Sequence, residues 1–238
     1  MSQTQQAVAE AAAHVLGGHA RGRAPGQRGQ YGQSGPPAGQ DDSYDRALWK
    51  ELAQAGLLGL AVPGSLGGEG LGVAETAVLL TEAGRAASGV PALATLAMGV
   101  LPVVRWGSRD QQQALLAGVA AGDTLLTAAI REPSEPMPAA PGTTLRDGGP
   151  GPGTVSGVKI GVPHAAAANW ILVPASLGSG GTAIAVVEPS AAGVTLCRTP
   201  SSAAAPEYTL RLDGAPAAHV LSGGVAVADL YRLTTAGA

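Results

Sequence analysis

The 238-residue chain carries 14 Lys and Arg against 17 Asp and Glu, for a formal net charge of −3, with no Phe and one Cys. That balance excludes a basic surface built for nucleic acid or anionic lipid, and the lone Cys197 excludes a disulfide framework and a thiolate metal cage. A chain of this length can bury its own core, as one large domain or two modest ones.

Gln5 to Leu16 is alanine-rich and helix-compatible. It lacks a basic start and carries Glu10, so it does not read as a signal peptide, and a cytoplasmic location is expected. Residues 17–41, with Arg21, Arg23 and Arg28 among Gly, Pro and Gln, are expected to be flexible. Asp42 or Ser43 is placed to cap a helix with the stripe Tyr44, Leu48, Leu52 and Ala55, and Gly56 suits the position just past its end. The apolar run Leu57 to Val62 then leads through Pro63 into a glycine loop, Gly64 to Gly72, whose only charge is Glu69. Val73, Ala77, Leu80 and Gly84 mark the next helix face, with Glu82 and Arg85 as an outward i,i+3 pair. Val90 to Val104 is uncharged but short, and Pro91, Gly99 and Pro102 interrupt it, which suits a buried helix pair or a bent core helix and not a membrane span. Ser108 to Gln111 has the S-x-x-Q form of a capping box, opening a helix with Leu115, Leu116 and Val119 that Gly122 closes.

The hydrophobic period changes at Thr124. Thr124 to Ile130 reads as a strand stopped by Glu132-Pro133. Val158, Ile160 and Val162 alternate with Lys159 and Gly161. Asn169–Val173 and Thr182–Val187 suit buried strands, and Tyr208, Leu210 and Leu212 alternate with Thr209, Arg211 and Asp213. No helix-length segment separates these strands, so the expectation is α+β: an N-terminal helical domain, then a small antiparallel β-barrel or sandwich. The divisions are residues 1–123, 124–222 and 223–238, the last being the start of a further helical domain. There is no G-x-G-x-x-G, P-loop, G-x-S-x-G or H-E-x-x-H. His14, His19, His164 and His219 lack metal-ligand spacing and read as ordinary surface or loop groups.

Leu48 to Gly72 resembles the acyl-CoA dehydrogenase N-terminal phrase LW-x-x-L-x-x-x-G-L-x-G-L-x-V-P…GG-x-G-L-G almost position for position. Further on, Ala128–Pro133 resembles that family's A-x-T-E-P, Gly157–Lys159 its G-x-K, and Asn169–Val173 its A-D-x-x-L-V. Asp213 to Leu221 looks like the lead into the C-terminal domain. The resemblance implies FAD-dependent α,β-dehydrogenation of an acyl-CoA thioester, in which a carboxylate takes the α-proton and flavin N5 the β-hydride. It also implies a homo- or hetero-oligomer with no nucleic-acid or membrane partner. The middle domain would form one wall of the flavin site, through Ile130, Arg131, Gly161, Val162 and Pro163. Those positions depart from the family: Arg131 stands for threonine, and Gly161-Val162-Pro163 for Trp-x-Thr. Hydroxyl and indole contacts are lost, and backbone amides near Ile130 and Val162 remain. Arg131 either reaches a pyrophosphate or is an exposed strand-end charge. The family's base comes from a C-terminal domain beyond this sequence, so Glu132 and Glu135 are not the base, and no catalytic residue is assigned. This chain alone is expected to be inactive, to hold FAD weakly, and to expose apolar surface on the β-domain and at Val90–Val104. The competing reading is a non-catalytic companion subunit or relic that binds a partner chain.

Overall fold

A computed structural model describes residues 1–22, 44–149, 153–201, 205–221 and 227–235. Helix α1 (Gln3–Gly22) runs longer than the sequence suggests, so residues 17–22 of the stretch expected to be flexible are helical. Val8, Ala12 and Leu16 form its buried stripe, at i, i+4 and i+8. The rest of that stretch, with Asp42 and Ser43, lies outside the described residues.

The cap of α2 (Arg46–Gln54) is Asp45, whose carboxylate accepts from Leu48 N at 3.0 Å. Leu48, Trp49 and Leu52 are buried, whereas Ala55 at the end of the expected stripe is exposed. Gly56 then takes φ +73, as the position past a helix end requires. The apolar run becomes a buried 3₁₀ turn (Leu57–Gly59), and the glycine loop folds back over it. Gly68 makes this possible, because a Cβ there would overlap the carbonyl of Val62.

Helix α3 (Val73–Arg85) buries Thr76, Leu79, Leu80 and Ala83, a face rotated from the expected one, with Ala77 half-buried and Gly84 exposed. The Glu82–Arg85 pair forms as expected. Within Val90–Val104 the chain forms one continuous buried helical run and not a helix pair: a π-helical stretch (Leu93–Val100) runs directly into α4 (Leu101–Trp106). It is buried from Ala94 to Val103, against α3, β1 and α6. The expected apolar patch is therefore not seen; among the described residues the exposed large hydrophobics are Met1, Leu93 and Met137. Ser108 and Gln111 make the reciprocal capping box that opens α5 (Arg109–Leu116).

Helices give way to strands between Leu116 and Leu126. The strands are β1 (Leu126–Ala128), β2 (Thr144–Arg146), β3 (Thr154–Pro163), β4 (Trp170–Leu177), β5 (Thr182–Val187), β6 (Val194–Thr199), β7 (Glu207–Pro216) and β8 (His219–Leu221). They form one open sheet in the order β6-β7-β3-β2-β4-β5-β8, with β1 beside β4. The expectation of an antiparallel barrel needs two corrections. The sheet does not close, and β1 and β2 lie end to end along one edge of β4, both parallel to it. The remaining pairings are antiparallel. A parallel return normally needs a helical crossover; here the β2–β3 hairpin and the turn at 164–169 supply the length. A short helix, α6 (Val227–Thr235), follows β8.

The sheet is bent into a sandwich, so β4 and β5 are buried on both sides. Leu172, Ile184 and Val186 face the helical core, while Ile171, Val173, Ala185 and Val187 meet Val155, Val162, Leu210 and Leu212. Burial on both faces is why β4 reads as a continuous apolar run and not as an alternation.

Candidate functional site

Past β1, Ala129 N still donates to Leu172 O at 2.8 Å, and then the chain leaves the edge of β4. Ile130 is half-buried against the helical core. Arg131 bridges antiparallel to Ile160, its carbonyl accepting from Ile160 N at 3.0 Å. That bridge lays residues 130–131 beside residues 160–163 of β3. Thr127 Oγ1 ties the same two segments by donating to Pro163 O at 2.7 Å.

The five residues singled out by resemblance therefore come together, in unequal roles. Val162 is fully buried in the sandwich core, so only its backbone belongs to this surface. Pro163 is half-buried. Gly161 has φ +58, and a Cβ there would lie 3.1 Å from Arg131 Nη1. The exposed Arg131 side chain thus lies across the bare backbone of Gly161.

Glu132 points the other way, into the fold. Its carboxylate accepts from Gly142 N at 2.8 Å, Thr143 N at 3.0 Å, Thr143 Oγ1 at 2.8 Å and Lys159 Nζ at 2.8 Å. Burial pushes its pKa up, but Lys159 and these donors together outweigh that and hold it at about 2. Lys159 is itself fully buried, opposite to the alternation expected of β3. Lys159 shares the buried side with Val155, four residues back, and an extra residue of β3 between Lys159 and Val162 then turns the strand over, leaving Val158 and Ile160 only half-buried. Gly157 (φ +152) permits this by letting Thr143 approach the strand where a Cβ would clash. Sequence reasoning missed both Lys159 and Thr143. The available signal was scarcity, since Lys159 is one of only two lysines and lies in an apolar strand. Helix α6 closes over the 133–138 loop, where Tyr231 Oη donates to Pro138 O at 2.9 Å. Burial first, then the charges of Glu132 and Glu135, push the Tyr231 phenol to about 12.

The histidines are less ordinary than expected. His19 is half-buried between Asp45 (2.8 Å) and Glu51 (3.5 Å), in a cleft of about 650 Å³ between α1 and α2. His219 is half-buried, edge-on to Trp170. His164, at φ +53 just beyond Pro163, is buried edge-on to Tyr44, and its Nδ1 has no hydrogen-bond partner among the described residues. Burial lowers its pKa to about 4, so the folded state holds it neutral while the unfolded chain protonates near 6.5. Stability is then fully present above 6.5 and is lost as pH falls toward 4. His164→Asn, which tolerates the same backbone, is expected to flatten that limb in urea midpoints measured at pH 7, 5.5 and 4.5. An unchanged slope would remove His164 as its cause. Among the described residues, no group of three or more His, Cys, Asp or Glu is placed to hold a metal ion, and no helix is long and apolar enough to cross a membrane.

A flavin ring is flat and needs a wall without projecting side chains. Gly161 beneath the planar Arg131 guanidinium gives a flat surface that would suit one side of an FAD site, without the hydroxyl and indole of the family pattern.

Residues 37–123 match the family described as "Acyl-CoA dehydrogenase, N-terminal domain". Acyl-CoA dehydrogenase FadE28 of Mycobacterium tuberculosis is 43% identical over 166 residues, covering 70% of this chain and 46% of that protein. The chain thus spans about half the length of the curated relative it matches. Among solved structures, a variant of the Tcur3481-Tcur3483 steroid ACAD superposes with a TM-score of 0.84 at 32% identity, covering 98% of this chain and 60% of that one. The ChsE4-ChsE5 complex from Mycobacterium tuberculosis superposes at 0.81 and 26% identity, again with 98% and 60% coverage. In its N-terminal helical and middle β regions, this chain belongs to the acyl-CoA dehydrogenase family of oxidoreductases.

Proposed function

We propose that the chain provides one wall of an FAD site in an acyl-CoA dehydrogenase, acting on an acyl-CoA thioester together with helical parts that lie outside residues 1–238. The observation that carries this is the side-by-side placement of Ile130-Arg131 and Gly161-Val162-Pro163, with Arg131 across Gly161. When bound, FAD accepts the hydride of the α,β-dehydrogenation. The chain's own residues would hold the ring by backbone and guanidinium, with the buried Val162 and Thr127 behind that surface excluding water. They do not supply the base. Glu132 is committed to Gly142, Thr143 and Lys159, and Glu135 sits exposed in a proline-rich loop. In this reading residues 1–123 and 124–222 are the helical and wall-forming units, 223–238 opens the covering helical unit, and the location is cytoplasmic. A partner of the same fold fits the two-component naming of ChsE4-ChsE5.

The second reading, a non-catalytic companion subunit, is favoured by one feature: no hydroxyl or indole stands at 131, 161 or 163. The purified chain, with FAD added and excess removed, is assayed with a panel of acyl-CoA thioesters and an artificial electron acceptor, beside a sizing column. Weak flavin retention and no turnover alone, with activity on adding the partner chain, support the first reading. Absence of flavin under every condition supports the second. Turnover by a monomer unaided overturns the assignment of the base elsewhere and makes Glu132 the first residue to replace.

A further inference from the structure

We infer that Arg131 serves as a flat, cationic platform for the flavin ring, supplying from the segment that follows β1 the planar surface that position 161 of β3 lacks. This rests on the FAD reading above. The guanidinium lies where a side chain at 161 would begin, with Nη1 3.1 Å from the ideal Cβ position. At φ +58, Gly161 disfavours any side chain of its own, so the surface at this point belongs to Arg131. The backbone holds the arm in place through the Arg131–Ile160 bridge. The adjacent carboxylate cannot neutralise it, because Glu132 turns inward and is spent on Lys159. No carboxylate of the described residues pairs with Arg131, so its charge is directed to solvent or ligand. A guanidinium is planar, always charged and weakly hydrated, which suits stacking on an aromatic ring as lysine does not. A fixed positive charge against a flavin also favours its reduced form, which carries more negative charge.

Shape and charge separate experimentally. The full chain, with its partner if one is needed for binding, is titrated with FAD by fluorescence quenching, and the midpoint potential of the bound flavin is measured. Arg131→Ala is expected to weaken FAD binding by about tenfold and to lower the potential. Arg131→Lys keeps the charge without the plane, so its potential stays near wild type while affinity remains impaired. Arg131→Trp restores the plane without the charge, so affinity recovers and the potential falls. Circular dichroism checks folding, and because Arg131 is exposed all three variants should fold. FAD affinity and potential unchanged in Arg131→Ala would overturn the platform and leave the FAD site standing. Affinity lost equally for ADP and FAD but not for riboflavin would assign Arg131 to the pyrophosphate and overturn the platform as well. Absence of FAD binding by the wild type would overturn the site itself, and the platform with it.

Discussion

Lys159→Met is expected to cost about 3–5 kcal/mol of folding stability, because it strands a buried carboxylate without its counter-charge. Glu132 would keep its bonds to Gly142 and Thr143, but these are neutral donors in a site only 5% exposed. The double variant Glu132→Gln/Lys159→Met is expected to regain most of the loss, since Gln still offers an oxygen to Gly142 and Thr143 and no charge is buried. Urea unfolding of the two single variants and the double variant gives the coupling directly. Additive losses would show that the pair contributes packing and not charge compensation. The pH dependence supplies an independent check. With a folded pKa near 2 against 4.5, Glu132 contributes stability that is complete above 4.5 and disappears as pH falls toward 2, about 3 kcal/mol at most. Glu132→Gln should abolish this acid limb while leaving the His164 limb at higher pH intact.

The same pair shows where the sequence was legible and where it was not. Elements with a single buried face were readable: the α5 capping box, Gly56 after α2, and the Tyr208-Leu210-Leu212 alternation of β7 all appear as expected. Strand β3 was misread because alternation assumes an unbroken register, and the extra residue between Lys159 and Val162 puts both of them on the buried side. Strands β2 and β6 escaped notice for a different reason. The three residues of β2 bury only Leu145, and β6 lies partly exposed at the edge of the sheet, so little apolar pattern was required of either. The parallel pairing of β1 with β4 was invisible, since it depends on where the intervening hairpin returns the chain. The wall residues were found only through family resemblance. Nothing in Gly161 or Arg131 as residue types announces that one lies across the other, a relation set by the Arg131–Ile160 bridge.

Gly99→Val is the second substitution with a large expected effect, and it links the helical core to the wall. Gly99 lies in the π-helical stretch, and a Cβ there would overlap the Cβ of Leu126 at the start of β1. The missing side chain lets strand and helix meet almost backbone to backbone, and β1 packs along that stretch. Neither side can yield easily. Leu126 is 1% exposed within the helical core, and β1 is held in register on β4 from Leu126–Trp170 to Ala128–Leu172. Overpacking in a dense core costs about 1–3 kcal/mol and sometimes more; here the upper end is expected because the clash begins at Cβ, with no rotamer to relieve it. The strain should appear as displacement of β1 and of Ile130 and Arg131, which follow it in the chain. Hydrogen exchange is the discriminating measurement. Amides of Ala129 and Ile160, bonded to Leu172 O and Arg131 O, are expected to lose protection more than Val186 in the neighbouring β5. Uniform loss across the sheet would mean that Gly99 supports global stability alone, and that the wall is positioned independently of the helix beneath it.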